Sequence, residues 1–348
     1  MQAGRVVLVA GASGAAGTRI AELLGATEGF SVLRLARRTP AEPGWVEADL
    51  SDGARLASAL ARHPEVTDLV YAARAPFGEG GVEDVAGNLA MLRNLLDAAE
   101  AGCPGLLHVH LVQGGKWYGL HLGPFPTPAR EDDPRHLPPN FYYDQQDLVE
   151  ARARARGWSW SASRPHMLCD VAPGQPRNLV STLGAYAAIC RELGVPLDFP
   201  GRPGAHAALA DLTEASQLAR AVRWMMTTPS CASQSFNVTN GDPFRWSDLW
   251  RRLAGAFDMP VGVVRPVTLA RWMADKDPVW ECIARRHGLR LPLGQVASWA
   301  FADFVLGQDY DVLLSMTKSR LHGFHDVVDT AGMLARQVEA YRKERILP

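Results

Sequence analysis

The stretch RVVLVAGASGAAGTRIAELLG, residues 5–25, combines a short apolar run, three glycines and a helical pattern. Its first part, Arg5 to Ala10, is a continuous apolar run that predicts a short strand buried on both faces. Three glycines in the pattern GxxGxxG follow at once, and apolar residues then recur at helical spacing up to Gly25. A strand, a glycine turn and a helix in this order are typical of a dinucleotide-binding sheet, in which the turn lets the backbone approach a pyrophosphate at the helix N-terminus.

Short apolar runs alternate with helical patterns through the first half of the chain, and this alternation predicts a parallel sheet with crossover helices. Further strands are predicted at residues 31–36, 68–73, 106–112 and 159–165, and an amphipathic helix at residues 88–102. Beyond Pro165 proline and glycine become frequent, residues 235–242 predict a returning strand, and the remainder is mainly helical.

These patterns predict an α/β fold: a Rossmann, doubly wound parallel sheet of the extended short-chain dehydrogenase/reductase type, with a smaller, mainly helical C-terminal lobe. The predicted NADP-binding core comprises residues 1–170, to which residues 207–240 return. The predicted substrate-binding lobe comprises residues 171–206 and 241–348.

The composition restricts the class of protein. The 348 residues carry 36 basic and 37 acidic side chains, so no general attraction to nucleic acid or to an anionic membrane is expected. Five dispersed cysteines without metal-ligand spacing predict a reducing compartment and no metal site. His108 and His110 share one face of a predicted strand without further ligands nearby, and we interpret them as structural. With no signal peptide and no apolar run of ~18 residues, the chain is predicted to be soluble and cytoplasmic.

The residues after the second and third strands predict NADP(H) as the cofactor. An NAD site carries an acid after the second strand, whereas this chain has Arg37 and Arg38, whose guanidinium groups suit the extra phosphate of NADP. Asp49 follows the third strand, where a carboxylate commonly contacts adenine. The alternative is that both arginines are surface residues that do not discriminate between NADP and NAD. The predicted cofactor-binding residues are Gly11, Ala12, Ser13, Gly14, Ala15, Ala16, Gly17, Arg37, Arg38, Asp49, Leu50, Ala72, Val112, Tyr142 and Leu168.

The tyrosine–lysine pair of short-chain reductases, in which the lysine stands four residues after the tyrosine, is absent. Counting from Tyr142 leads to Gln146, and counting from Tyr143 leads to Asp147. Either the chain has lost redox catalysis, or another segment provides the lysine. Lysine is rare in this chain, and Lys116 in GGKWYG is one of four.

Several stretches together resemble a known family: GASGAAG, LARR, GGKWYG, NFYYDQQD, FNVTNGDPFRWSDLW and the closing ILP. They occur in the order found in the progesterone 5β-reductase and iridoid synthase group, and the resemblance covers nearly the whole chain. It implies that Lys116 replaces the missing lysine, that Tyr142 is its catalytic partner, and that Tyr143 packs or orients the helix. An ammonium near a phenol lowers the phenol pKa.

The resemblance also implies a reaction. NADPH would deliver hydride to the β-carbon of a small hydrophobic enone or enal, while Tyr142 and Lys116 stabilise the enolate oxygen. A homodimer is expected by analogy, with no nucleic-acid or membrane partner. Three alternatives remain open on the same scaffold: a carbonyl reductase, a tailoring isomerase or cyclase, and a non-catalytic NADP-binding regulator. Val112 and Val327 depart from the family pattern and leave the substrate open.

Overall fold

A computed structural model describes residues 4–78 and 82–348 of the chain. The first half alternates strands and helices: β1 (Arg5–Ala10), α1 (Ala15–Gly25), β2 (Phe30–Ala36), β3 (Trp45–Glu47), α2 (Gly53–Leu60), β4 (Asp68–Tyr71), α3 (Val85–Gly102), β5 (His108–Val112), α4 (Phe141–Arg156) and β6 (Ser159–Pro165). A single 3₁₀ turn, Gly115–Tyr118, lies between β5 and α4.

The second half is mainly helical, with short strands between the helices. Its elements are β7 (Leu168–Cys169), α5 (Leu179–Glu192), β8 (Leu197–Phe199), α6 (Pro203–Ala207), β9 (Leu209–Ala210), β10 (Thr213–Glu214), α7 (Ala215–Thr227), β11 (Gln234–Val238), β12 (Phe244–Arg245), α8 (Trp246–Ala256), β13 (Val261–Val264), α9 (Leu269–Trp272), α10 (Asp277–His287), α11 (Leu293–Val296), α12 (Trp299–Leu306), α13 (Thr317–Leu321) and α14 (Thr330–Lys343).

The main sheet has seven parallel strands in the order β11, β6, β5, β4, β1, β2, β3. In its centre, Leu8 of β1 stands opposite Leu33 of β2 on one side and Leu69 of β4 on the other. Because the chain leaves β3 at one edge and returns on the far side of β1, the strand order reverses between β1 and β4. A ligand crevice is expected at the carboxyl ends of these two strands. The predicted Rossmann fold is therefore confirmed.

Alternating side chains of β1 enter two separate cores, one on each face of the sheet. Leu8 packs in a buried cluster with α2, α3 and α4, which includes Leu95 and Val149. Val7 and Val9 pack on the opposite face in a cluster with α1 and α7. The run from Arg5 to Ala10 is apolar at successive positions because both faces of this strand are covered.

A third core, in the C-terminal half, surrounds α5. Twelve of the fourteen residues of α5 are buried, as expected for a helix that is apolar on all sides. Trp250 and Trp280 are fully buried in this core, whereas Trp299 packs against it in a partly buried position. No helix in the described part of the chain is both long and apolar enough to span a bilayer. The proposed boundaries of the two lobes stay a prediction.

The two strand histidines belong to a hydrogen-bonded ladder between β5 and β6. His108 contacts the hydroxyls of Ser159 and Ser161 at 2.7 and 2.9 Å, and His110 contacts those of Ser161 and Ser163 at 2.8 and 3.0 Å. Burial lowers the pKa of His108 to about 4, so this side chain is neutral. Both imidazoles thus have all ring nitrogens occupied by serines.

Candidate active site

Two positions at the turn between β1 and α1, Gly11 and Gly17, have no room for a side chain. Gly11 has φ +82°, and a Cβ there would lie 2.7 Å from the backbone nitrogen of Ala73. A Cβ on Gly17 would clash with the carbonyl oxygen of Gly11, so helix and strand approach closely. Gly14 precedes α1 without a side-chain cap, which leaves backbone N–H groups free to bind an anion.

A cavity of about 360 Å³ opens at the carboxyl ends of β1, β2, β3 and β4. It lies at the crevice where the strand order reverses. Seven of the predicted cofactor-binding residues line it: Gly11, Ser13, Gly14, Arg37, Asp49, Leu50 and Ala72. Lining residues that the sequence interpretation missed are Leu35, Ala36, Ala48, Ser51, Ala73, Arg74, Pro76 and Met91.

The other predicted cofactor-binding residues do not line this cavity. Ala12 is buried in the core between the sheet and α1, with Ala16 packed against it. Ala15 and Gly17 belong to the first turn of α1, and Arg38 is exposed beyond the cavity rim. Val112 ends β5 and Leu168 begins β7, and both pack against the core that contains α1 and α7.

Asp49 is oriented by its own loop. Its Oδ1 accepts hydrogen bonds from the backbone nitrogen and the hydroxyl of Ser51, at 2.9 and 2.7 Å. These hydrogen bonds lower the pKa of Asp49, and the positive charge of Arg37 lowers it further. Arg37 and Asp49 thus face the same end of the cavity, with opposite charges.

Tyr142 stands in the first turn of α4, beside the end of β5. Asn140 begins this helix: its Oδ1 accepts from the Tyr142 nitrogen at 3.1 Å, and its Nδ2 donates to the Lys116 carbonyl at 3.0 Å. A Cβ on Gly114 would lie 3.1 Å from the Tyr142 hydroxyl, so the glycine leaves room for the phenol. Burial raises the pKa of Tyr142 to about 12, and the Glu83 carboxylate raises it as well, whereas Arg74 lowers it.

Tyr143 has a different environment from its neighbour. Its hydroxyl accepts from the backbone nitrogen of His136 at 2.7 Å and donates to the carbonyl of Trp117 at 2.6 Å. The ring lies edge-on to Trp117, with centroids 4.7 Å apart. Both functions of this hydroxyl are therefore used, whereas the Tyr142 hydroxyl has no hydrogen bond to another residue of the described segments.

The ammonium of Lys116 contacts a carboxylate that the sequence interpretation did not include. Lys116 Nζ forms an ion pair with Glu83, whose Oε1 also accepts from Arg74 at 3.0 Å. Within residues 4–78 and 82–348, no hydrogen bond joins Lys116 to Tyr142. Burial lowers the pKa of Lys116, as do the charges of Arg74 and Arg177, whereas Glu83 raises it. Glu83 therefore has two effects: it pairs with the Lys116 ammonium, and its negative charge raises the pKa of Tyr142.

Comparison with known proteins identifies the family. Residues 50–348 match the PRISE-like Rossmann-fold domain. The chain belongs to this family. It is 34% identical to an (S)-8-oxocitronellyl enol synthase of Nepeta cataria, over 99% of this chain and 92% of that one. The enzyme of that name from Antirrhinum majus is 33% identical, over 99% and 93%. A short chain dehydrogenase of Penicillium aethiopicum is 34% identical over 75% and 74%. The resemblance to iridoid synthases is confirmed.

Solved structures share the fold of this PRISE-like chain at low identity. A putative epimerase from Burkholderia cenocepacia superposes with a TM-score of 0.68 at 18% identity, covering 99% of this chain and 100% of that one. RMD from Pseudomonas aeruginosa, complexed with NADPH, superposes with a TM-score of 0.66 at 15% identity, covering 98% and 100%. At these identities the likeness concerns the fold.

The position four residues after Tyr142 has a structural role in this PRISE-like protein. Gln146 is buried, and its Oε1 accepts from Gln113 at 3.2 Å and from Arg164 at 3.3 Å. Arg164 is itself 1% exposed and stacks on Trp117, with its guanidinium carbon 3.6 Å from the ring centroid. A lysine at position 146 would place an ammonium between this buried guanidinium and the Glu150 carboxylate, which now accepts from the Gln146 amide at 2.8 Å. It would also remove the oxygen that accepts from Arg164. The geometry therefore gives a physical reason for the absence of a lysine there.

Of the two charged residues beside Lys116 that the sequence interpretation missed, Arg74 had a signal in the sequence and Glu83 had none. Arg74 stands three residues after the end of β4, as Arg37 stands one residue after the end of β2, and strand ends at the crevice are where site residues gather. Glu83 does not closely follow a strand of the main sheet, so its position in the sequence does not indicate the site. It precedes the helix-capping Asp84, which accepts from the backbone nitrogen of Gly87 at 2.8 Å, and only its contacts connect it with the site.

Proposed function

We propose that this chain is an NADPH-dependent ene-reductase, which reduces the C=C bond of a small hydrophobic enone or enal by conjugate addition of hydride. The observation that carries the proposal is the Tyr142 hydroxyl. It lies against Gly114 beyond β5, and no other described residue satisfies it. A hydroxyl placed in this way is available to a substrate oxygen.

The cavity at the strand ends fits the dinucleotide. The turn at Gly11 and Gly17 has no space for side chains, so backbone N–H groups are available to a pyrophosphate. Arg37 supplies a guanidinium for the 2′-phosphate, and Asp49 supplies a carboxylate at the same end. When bound, NADPH supplies the hydride for the β-carbon of the substrate.

Tyr142 would act on the carbonyl oxygen of the substrate. Because burial raises its pKa to about 12, the phenol stays protonated near neutral pH and can donate a hydrogen bond. That bond strengthens as negative charge develops on the oxygen during conjugate reduction, which lowers the barrier. The enolate then takes a proton from water at its α-carbon.

Lys116 would support this step through its charge. The ammonium and Arg74 together carry two positive charges against the single carboxylate of Glu83. The cluster is therefore net positive, and a half-buried positive cluster favours a nearby enolate anion. Glu83 orients the ammonium and helps to keep it protonated, since its charge opposes the effect of burial on the pKa of Lys116.

The names of the relatives agree with conjugate rather than carbonyl reduction. The proteins from Nepeta cataria and Antirrhinum majus are named enol synthases. Hydride addition to the β-carbon of an enal leaves an enolate, and protonation of that enolate on oxygen gives an enol. Hydride addition to the carbonyl carbon gives an alcohol instead, and no enol forms.

The alkaline limb of activity is expected to belong to Lys116 rather than to Tyr142. Tyr142 loses its proton only near its raised pKa of about 12, whereas the lowered pKa of Lys116 places its loss of charge at lower pH. We expect kcat to fall as pH rises through the pKa of Lys116. In Lys116→Arg this fall should occur at a higher pH, since a guanidinium stays charged. An unchanged limb in Lys116→Arg would assign the titration to another group.

The choice between NADPH and NADH is expected to depend on Arg37. Loss of a charged hydrogen-bonding partner of a phosphate weakens binding by about 1.5–3 kcal/mol, so Arg37→Ala should raise KM for NADPH by about 10–100-fold. KM for NADH should stay nearly constant. Arg38→Ala is the matched control, since Arg38 does not line the cavity. Equal effects of the two substitutions would remove the proposed role of Arg37.

The reaction itself is tested by measuring NADPH oxidation with a panel of enones and enals, followed by product analysis with deuterated NADPH. Conjugate reduction places deuterium on the β-carbon. Deuterium on the carbinol carbon would indicate a carbonyl reductase, and product formation without net NADPH consumption would indicate an isomerase or cyclase. Absence of any turnover, with NADPH still bound, would indicate a regulator.

A further inference from the structure

A small cavity lies beside the turn that carries Lys116. We call it the His166 cavity. Its volume is about 10 Å³, room for a single water-sized group. Most of its wall is apolar, with Leu212, Phe244 and Trp246 among the lining residues. Its polar lining includes His166, Gln308 and Tyr310.

His166 presents an unused hydrogen-bond acceptor. The residue is 5% exposed and directly follows β6. Its Nδ1 lies 2.7 Å from Asp211 Oδ1 and 2.9 Å from the Asp211 carbonyl, and both oxygens only accept, so Nδ1 carries the proton. The other carboxylate oxygen of Asp211 accepts from the Leu314 nitrogen at 2.8 Å. In this tautomer Nε2 is a lone-pair acceptor, and it has no hydrogen-bond partner among the described residues.

Gln308 presents an unused donor to the same cavity. Its side chain is 9% exposed, and its amide nitrogen has no hydrogen-bond partner within the described segments. Tyr310 lies beside it and donates its own proton to the Leu120 carbonyl at 2.7 Å, so only its oxygen lone pairs remain. Burial raises the pKa of Tyr310 and the Gln308 amide opposes this effect, but the amide nitrogen forms no hydrogen bond to the Tyr310 oxygen. Buried polar groups are nearly always hydrogen-bonded, and two unsatisfied ones in one apolar cavity indicate a missing partner.

The chemistry of the two groups defines that partner. A hydroxyl donates one hydrogen bond and accepts others, so it can donate to His166 Nε2 and accept from Gln308. A carbonyl oxygen would satisfy Gln308 alone. A carboxylate or phosphate is too large for about 10 Å³ and would meet the lone pair of His166. An uncharged hydroxyl therefore fits best.

The cavity also adjoins the segments that border Tyr142. A Cβ on Gly114 would lie 3.1 Å from the Tyr142 hydroxyl and 3.5 Å from the Pro165 carbonyl, and one on Gly115 would lie 3.6 Å from His166 Cδ2. The same two stretches, 114–115 and 165–166, thus border both the phenol and the imidazole. We propose that the His166 cavity binds a hydroxyl group at the far end of the substrate, so that the substrate class is a hydroxylated enal or enone. This inference rests on the proposed function.

The test uses matched pairs of substrates. Linear trans-2-enals of eight, ten and twelve carbons are compared with their counterparts that carry a terminal hydroxyl. At the chain length that reaches the cavity, we expect kcat/KM to be about 10–100-fold higher for the hydroxylated member. His166→Phe and Gln308→Met should each bring this ratio close to one. A merely structural role would lower both rates of a pair in parallel and leave the ratio unchanged.

A binding measurement separates failure of this inference from failure of the proposed function. Quenching of tryptophan fluorescence gives Kd for each pair without turnover, and the hydroxylated member should bind about 10-fold or more tightly. If plain enals are reduced but neither kcat/KM nor Kd distinguishes the pairs at any length, the inference is overturned and the cavity holds a water. If no enal is reduced, the proposed function fails, and the Kd ratio still decides the hydroxyl site.

Discussion

Tyr142→Phe is expected to lower kcat for conjugate reduction by about 10²–10³-fold, the typical loss when a hydrogen-bond donor to a developing oxyanion is removed. The substitution removes one hydroxyl that has no partner among the described residues, so the fold should be unaffected. KM for the cofactor should change little, because Tyr142 does not line the cavity at the strand ends. Stopped-flow measurement of NADPH oxidation with one enal, together with a urea unfolding curve, checks both parts.

Tyr143→Phe is the matched control for this result. It removes the hydroxyl that accepts from the His136 nitrogen and donates to the Trp117 carbonyl. Leaving these two backbone groups unsatisfied should lower the free energy of unfolding by about 1–3 kcal/mol, with a much smaller effect on kcat. If Tyr143→Phe abolished turnover while Tyr142→Phe remained fully active, the roles of the two tyrosines would be reversed.

Gln146→Lys is expected to destabilise the protein by about 3–5 kcal/mol, although it restores the tyrosine–lysine spacing of other short-chain reductases. The substitution removes the oxygen that accepts from Gln113 and Arg164, and it adds a cation next to a guanidinium that is buried and stacked on Trp117. Like charges in a buried site repel strongly. The midpoint of urea unfolding, at constant m-value, measures the loss.

Gln146→Met separates the effect of the charge from the loss of the acceptor. Methionine is similar in length and removes the same oxygen, so we expect a loss of about 1–3 kcal/mol. The difference between the two variants then reports the net effect of the charge, which is the repulsion from Arg164 less the attraction to Glu150. Equal stabilities of Gln146→Lys and Gln146→Met, or a gain of activity in Gln146→Lys, would contradict the structural account of the missing lysine.

The strands were predictable because their signals are local. The predicted bounds of β1 and β6 agree with the structure at both ends, and β2 begins one residue earlier than predicted. Two other strands are shorter than predicted: β4 stops at Tyr71 and β5 begins only at His108. The pattern overestimates these strands because the apolar runs extend beyond the strand ends, and at β5 the run includes Leu107, which is 58% exposed.

The candidate site was predictable in part. The glycine turn, Arg37 and Asp49 follow strands whose order is implied by the fold, and the structure places them at one cavity. The environment of Lys116 was not predictable. Its carboxylate neighbour Glu83 lies 33 residues earlier in the chain, and no spacing or periodicity connects them. The role of Tyr142 and Lys116 in catalysis stays a prediction.

The Rossmann sheet and the glycine turn follow from the sequence alone, since apolar periodicity and turn chemistry depend on residues close together in the chain. Tertiary structure alone decided which side chains meet: Lys116 with Glu83, Gln146 with Arg164, and His166 with Gln308 across one cavity. These contacts depend on how loops at the strand ends pack against each other. Such packing leaves no periodic trace in the sequence.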